Sequence, residues 1–330
     1  GGPAICAMAR EFGCDALDTL HASVLAVRRN AGVIRAAAAD ADIVHVHRSS
    51  SHLAALLALG FSRRKTPLVR TCHAGVPGQT GVWARLLVGR AEALVVRSAA
   101  LAFDLRAQAA SARARLAVIP GGVESATFSP NVDGSPFRTR LGLDGQLLVG
   151  TVAHFKRGRR LLQFCAVAER LCRDPQHVNL CFVLIGRGQL RSALESWVRR
   201  AGLEARVKVV DPANDFLVAL ASLDIAVLLV PGSDGSARAA IEMAALGKPM
   251  VLGNVGALFD LAGPENTCGL LVQPESVEEV AAAVAQLATD PERRRRLGAA
   301  ARDRFLERYT LDSLGQNYET LFEEVLRDAS

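Results

Sequence analysis

Aromatic side chains are scarce in this chain. They make up 5% of its 330 residues, with two tryptophans and two tyrosines. None is interleaved with the arginine runs, so the stacking surface that a nucleic-acid binder needs is missing and nucleic acid is not expected as a partner. No apolar run approaches the roughly 18–20 residues of a membrane span, and the beginning shows no signal-peptide pattern. The seven cysteines, Cys6, Cys14, Cys72, Cys165, Cys172, Cys181 and Cys268, are odd in number and scattered. They form no CxxC pair and no Cys/His cluster with metal-ligand spacing. They read as small buried hydrophobes in a reducing compartment. Lysine is almost absent: Lys65, Lys156, Lys208 and Lys248 are the whole set. Short repeats and low-complexity segments are also missing.

Half of the residues are apolar, 22% are charged, and the net charge is +6. That balance is ordinary for a globular protein long enough for two domains. The positive excess, nearly all arginine, suits an anionic substrate or an anionic membrane surface. Arg293-Arg-Arg-Arg296 follows Asp290-Pro-Glu292 in a helical pattern and reads as a solvated helix face.

Short apolar runs alternate with longer helical patterns. The first series of expected strands is 43–47, 68–72, 94–96 and 116–119. The second is 147–153, 180–185, 207–210, 225–229, 250–252 and 270–272. Helical patterns fall at 161–173, 190–201, 277–287, 294–308 and 311–327. Such alternation implies parallel sheets covered by helices, with ligands at the carboxyl ends of the strands. The polar stretch 129–144, after Pro120-Gly-Gly-Val123, separates the two series. The expectation is an α/β chain with two Rossmann-like domains facing across a cleft: residues 1–140 with about 311–330, and residues 141–310. The chain opens at Gly1-Gly-Pro directly into a helical pattern at 4–12, so the first domain reads as incomplete.

The most informative stretch is Gly-Ser-Asp-Gly-Ser-Ala-Arg-Ala-Ala-Ile-Glu-Met-Ala-Ala-Leu-Gly-Lys-Pro at 232–249. It follows the apolar run 225–230, opens as a small-residue turn and continues as a helix. A strand feeding a helix through such a turn presents backbone N–H groups and the positive end of the helix dipole to a phosphate. Asp234 sits in the turn and Glu242 about two helical turns on. One acid can therefore reach a ligand at the helix mouth and the other along its flank. A simpler alternative makes Asp234 an N-cap and Glu242 a surface residue. Gly186-Arg-Gly188 also follows a strand, where close backbone approach to a ligand or a plain strand-to-helix turn are both open. His45 and His47 are assigned to opposite sides of their strand, and His52 to a solvent-exposed helix start.

With these pieces in order, the chain resembles the retaining glycosyltransferases of family 4, which have the two-Rossmann GT-B fold. The ordered set is Asp42-Ile-Val-His-Val-His47, Val69-Arg-Thr-Cys-His73, Val118-Ile-Pro-Gly-Gly-Val123 with Phe128-Ser-Pro130, Val149-Gly-Thr-Val-Ala153, Leu184-Ile-Gly-Arg-Gly188, the 232–249 motif, Gly269-Leu-Leu-Val272 and Asp290-Pro-Glu292. The resemblance implies a nucleoside-diphosphate sugar as donor, bound by the second domain, and a glycan, lipid-linked or small-molecule acceptor on the first. The family's acidic pair is Glu-x7-Glu; here it is Asp234-x7-Glu242. By resemblance Asp234 contacts donor-sugar hydroxyls and Glu242 the ribose. The amides of Gly235, Ser236 and Ala237 face the donor phosphate, and Arg238 adds a charge-assisted contact. Gly186 and Gly188 approach the donor, and Val209-Val-Asp-Pro212 flanks its base. Lys156 and Arg157, in the loop His154-Phe-Lys-Arg-Gly158, are the expected clamp on the leaving diphosphate. His73 is expected to serve the transferred sugar, with His47 a weaker acceptor-side candidate.

No metal or cofactor is implied, because Asp40-Ala-Asp42 precedes a strand rather than ending one. The family's first strand and glycine-rich turn have no counterpart here, which implies a chain lacking on the order of one β-α-β unit. The resemblance also implies a cytoplasmic location, with peripheral contact at the inner membrane face during bacterial polysaccharide or lipopolysaccharide assembly. The rivals are a sugar-nucleotide epimerase or hydrolase on the same fold, and a catalytically weak nucleotide-sugar-binding subunit.

Overall fold

The structure, a computed structural model, describes residues 24–60, 65–73, 90–108, 114–212, 215–232 and 237–329. The chain divides into two compact units. One holds residues up to Val96, Ala102–Val118 and Tyr318–Ser330. The other holds Arg97–Leu101 and Ile119–Asn317.

The first unit carries helix α1 (Val24–Ala37), strand β1 (Val44–Val46), helix α2 (Ser49–Leu59), and strands β2 (Leu68–Cys72) and β3 (Ala93–Val96). Helix α3 (Ala99–Gln108) and strand β4 (Arg115–Val118) follow. The four strands form one sheet in chain order, every pair parallel. The β2 and β3 strands are buried along their whole length, as a parallel strand covered on both faces must be. Helices α1 and α2 pack on each other. Val46, Ala55 and Leu68 join helix to sheet.

The second unit runs α4 (Ser135–Leu141), β5 (Leu147–Val152), α5 (Leu161–Cys172), β6 (Leu180–Ile185), α6 (Arg191–Ala201), β7 (Val207–Val210), α7 (Phe216–Ala221) and β8 (Ile225–Leu228). It continues with α8 (Arg238–Ala245), β9 (Met250–Gly253), α9 (Ala257–Ala262), β10 (Leu270–Val272), α10 (Val277–Thr289) and α11 (Pro291–Arg308). Helix α12 (Leu311–Ala329) closes the chain. The sheet order is β10-β9-β8-β5-β6-β7, all parallel. This is the doubly wound order, and its direction reverses between β5 and β8, where a crevice opens at the carboxyl ends of the strands.

Two cores flank this sheet because successive strand residues point to opposite faces. Leu148, Val183 and Ile185 pack with α8 and α9 on one face, while Val149, Phe182 and Leu184 pack with α5 and α10 on the other. Local chemistry sets the helix starts. The Ser276 hydroxyl accepts the Glu279 N–H at the start of α10, and the Asp290 carboxylate accepts the Arg293 N–H at the start of α11. Pro291 supplies the first-turn φ for α11. The arginine run is only partly a solvated face: Arg295 pairs with Glu292, but Arg294 donates to the Leu287 and Ala288 carbonyls at the end of α10. The ten strands among the described residues begin and end within one residue of the apolar runs. The expected helix at 4–12 lies outside the described residues.

Candidate functional site

A pocket of about 610 Å³ opens at the β5/β8 reversal of the second unit. Its walls come from the ends of β5 (Thr151–His154), β6 (Ile185–Arg187) and β8 (Leu228–Val230) and from the start of α8. Phe128, Pro212 and Phe216 add apolar surface.

Helix α8 begins in strain. Ala237 is buried and stands at φ 53°, ψ 34°, the left-handed region that costs a residue with a Cβ about 1–2 kcal/mol. Its carbonyl accepts the N–H groups of Ala240 and Ile241 at 2.8 and 3.1 Å. Among the described residues no side chain caps this helix start. A strained helix start beside a pocket turns its first-turn N–H groups toward the place where a ligand can meet them. One turn on, Glu242 lines the pocket and is buried, with 4% of its surface exposed. The surface-residue alternative for Glu242 is therefore wrong. Arg238 Nε donates to Glu242 Oε1 at 2.9 Å. Burial pushes the Glu242 carboxyl above its ordinary value, opposed by the Arg238 hydrogen bond and charge.

Gly186 and Gly188 are demanded by the chain itself. They stand at φ 152° and 144°. A Cβ on Gly186 would lie 1.9 Å from the Ala153 oxygen, and one on Gly188 2.6 Å from that of Phe155. The turn is stitched to the loop after β5 by Ala153 N to Ile185 O (3.1 Å), Phe155 N to Arg187 O (2.8 Å) and Leu190 N to Phe155 O (3.0 Å). Gly186 also lines the pocket. The pair thus builds the wall that carries Arg187, whose guanidinium lies 3.9 Å from the Asp211 carboxylate.

The loop after β5 sorts its basic residues. His154 and Arg159 line the pocket, and Arg159 donates to the Pro231 carbonyl. Lys156 and Arg157 are exposed and lie outside the pocket lining. Arg160 pairs with Glu275. The structure thus brings Gly186, Ala237, Arg238 and Glu242 together, and adds Arg159, which sequence reasoning missed. Five basic residues within seven positions offered no signal to separate it. Asp234, Gly235 and Ser236 lie outside the described residues. Among the described residues, no cluster of three or more His, Cys, Asp or Glu is placed to hold a metal ion.

In the first unit His73 follows β2, half-buried. Its Nε2 lies 3.0 Å from His47 Nδ1. The assignment of His45 and His47 to opposite sides is corrected: their ring centroids are 4.4 Å apart. A two-residue step along a strand returns to the same face. His45 Nε2 meets the Thr71 hydroxyl at 2.8 Å, and that hydroxyl meets Tyr318 OH at 2.9 Å.

His52 is not solvated either; it is fully buried. Arg70, buried on β2, donates through Nη1 to His52 Nδ1 (3.2 Å) and through Nη2 to the Ser49 hydroxyl (2.9 Å). Because an arginine can only donate, His52 Nδ1 accepts and the neutral ring carries its proton on Nε2. Burial, reinforced by the Arg70 charge, pushes the His52 imidazole down to about 4.

This architecture defines a parallel-sheet α/β protein of two units, and comparison makes the class specific. The profile of the glycosyl transferases group 1 matches residues 136–304, just over half of the chain. That of glycosyltransferase family 4 matches residues 15–127. The chain belongs to the group 1 glycosyl transferases. It is 25% identical over 322 residues to the MMP alpha-(1->4)-mannosyltransferase of Mycolicibacterium hassiacum, covering 90% of this chain and 74% of that one. It is 31% identical to the D-inositol 3-phosphate glycosyltransferase of Rhodococcus jostii, where 62% of this chain matches and the chain spans 47% of the relative. In fold it matches Anabaena HepE in complex with UDP, with a TM-score of 0.80 and 19% identity over 97% of this chain and 89% of that one. The two parallel-sheet domains are those of GT-B glycosyltransferases. Among the described residues no helix is long and apolar enough to cross a membrane.

Proposed function

We propose that this chain is a retaining glycosyltransferase that takes a sugar from a nucleoside diphosphate, with residues 141–310 holding the donor and residues 1–140 with 311–330 the acceptor. The observation that carries this reading is the pocket at the sheet reversal, where the start of α8, Arg238 and the buried Glu242 meet. Solved HepE structures contain UDP and UDP-glucose, which supports a uridine-type donor for a chain of this fold.

The start of α8, with the amides of Gly235, Ser236 and Ala237, receives the diphosphate. Arg238 and Arg159 add positive charge, and Lys156 and Arg157 engage the diphosphate as it departs. Glu242 accepts from the ribose hydroxyls. Asp234 holds hydroxyls of the donor sugar, and His73 serves the same sugar. An acceptor hydroxyl attacks the anomeric carbon on the face from which the diphosphate leaves. The bond from that carbon to the phosphate oxygen breaks, the bond to the acceptor oxygen forms, and the acceptor proton passes to the departing phosphate. The acceptor is a glycan, a lipid-linked sugar or a small hydroxylated molecule, reached at the cytoplasmic membrane face.

The test is calorimetric binding of UDP, GDP and their glucose and mannose esters, alongside turnover with and without acceptor. Binding lost in Glu242→Gln, with acceptor-dependent release of the nucleotide and the anomeric configuration kept, supports the reading. Acceptor-independent release would mean a hydrolase or epimerase. Binding that ignores Glu242 would refute the donor site.

A further inference from the structure

We propose that His47 is a positioning residue for His73: it fixes the ring orientation and tautomer with which His73 meets the transferred sugar. The proposal rests on the sugar-facing role of His73 given above. Its own basis is the 3.0 Å approach of His47 Nδ1 to His73 Nε2 and the near-parallel set of the two rings, 26° apart with centroids at 5.2 Å.

A hydrogen bond between two ring nitrogens needs one N–H and one lone pair, so the tautomers of the two rings are not independent. When His47 Nδ1 donates, His73 Nε2 accepts. The proton of neutral His73 then sits on Nδ1, and that nitrogen is a donor. When the bond runs the other way, neutral His73 offers only a lone pair from Nδ1. A cationic His47 carries N–H on both nitrogens and permits only the first arrangement. Which chemistry His73 presents is therefore written at His47.

His47 is itself placed by its neighbours. The ring of His45 lies against it, and His45 is tied through Thr71 to Tyr318 on α12. Tyr318 and Phe322 close over His45 at 5.3 and 5.6 Å between centroids. Two strands and a helix so converge on the pair, and among the described residues His45 and Tyr318 are titratable neighbours. The arrangement has the form of an orienting partner behind a working imidazole; behind metal-bound imidazoles, removing such a partner costs about 10–100-fold, and a loss of the same order is expected here.

The experiment combines nitrogen-15 spectra of histidine-labelled full-length protein with steady-state kinetics, for wild type, His47→Ala and His47→Asn. His47 is exposed, so neither variant is expected to unfold, and far-ultraviolet dichroism verifies this. Asparagine puts an amide near the Nδ1 position. In the wild type, His47 Nδ1 and His73 Nε2 show complementary shifts, one protonated and one bare, with His73 assigned by its loss in His73→Gln. In His47→Ala, His73 becomes a tautomer mixture and kcat falls about tenfold to a hundredfold with the donor KM within about threefold. His47→Asn restores a single His73 tautomer and most of kcat.

Unchanged His73 spectra in His47→Ala overturn the proposal. Altered spectra with unaltered kcat overturn it equally. Absence of sugar transfer by the wild type would instead defeat the glycosyl-transfer reading, while the spectra still decide the contact.

Discussion

Acidification should weaken the first unit through His52. This imidazole is fully buried, accepts from Arg70 at Nδ1 and has its Nε2 buried without a hydrogen-bond partner among the described residues. A second proton would have to enter at Nδ1, breaking that bond and setting two cations face to face. In the unfolded chain the ring titrates near 6.5, and in the fold near 4. Above pH 6.5 both states are neutral and nothing is lost. Between 6.5 and 4 the unfolded chain binds a proton that the folded chain refuses, so stability falls as pH falls. The gap of about 2.5 pH units, at about 1.4 kcal/mol for each, amounts to about 3 kcal/mol once pH 4 is reached.

The perturbation is His52→Asn, which keeps an acceptor near Nδ1 and removes the titration. The assay is native-state hydrogen exchange of the β2 amides at pH 7, 6, 5 and 4, read as opening free energy so that the first unit is followed alone. Other acid-labile groups cancel in the difference between wild type and variant. That difference should shift by about 3 kcal/mol against the wild type from pH 7 to 4. Two profiles falling in parallel would refute the reasoning, because His52 would then be titrating as it does in the unfolded chain.

Other outcomes follow from the same contacts. Arg70 is buried with no carboxylate in salt-bridge reach among the described residues, and its Nε has no partner. Arg70→Met should cost less than about 1 kcal/mol or stabilise the first unit, and should raise the His52 titration midpoint in imidazole NMR. Gly298→Ala gains about 1 kcal/mol of helix propensity, but its Cβ would stand 2.2 Å from the Gly247 oxygen. Thermal unfolding should show a net loss of about 2 kcal/mol or more. Ala237→Gly relieves the left-handed φ at the start of α8 and should raise the unfolding midpoint of the second unit, scored by calorimetry. Glu242→Gln removes a carboxylate whose pKa is raised by burial and which therefore costs stability at neutral pH. The unfolding midpoint should hold or rise while affinity for a nucleotide sugar falls at least about tenfold.

Strand positions were readable because a parallel strand covered on both faces has to be an apolar run. Residues 180–185 and 225–228 are buried throughout. The side-chain errors share a different origin. Ser-Ser-Ser-His-Leu-Ala-Ala-Leu-Leu-Ala-Leu in α2 has almost no polar face, so periodicity cannot place His52, and Arg70, 18 residues away, decides its surroundings. The basic loop after β5 does not say which cation turns inward. Arg159 does so because the Pro231 carbonyl, brought in after β8, receives it. The two glycines at 186 and 188 looked like ligand contacts, and the glycine is demanded first by the carbonyls of Ala153 and Phe155.

By itself the sequence determined what is local and repetitive: strand, helix and turn in order, a buried apolar budget for two parallel sheets, and an acid about two helical turns beyond the one in the turn. Tertiary structure alone decided which of these groups meet. His45, His47, His73 and Tyr318 come from two strands and a distant helix, and Glu242 becomes a buried acid only once β5, β6 and β8 stand side by side. The physical reason is that backbone periodicity acts over a few residues. Burial, shared protons and the electrostatics of a site depend on distances that only the folded sheet sets.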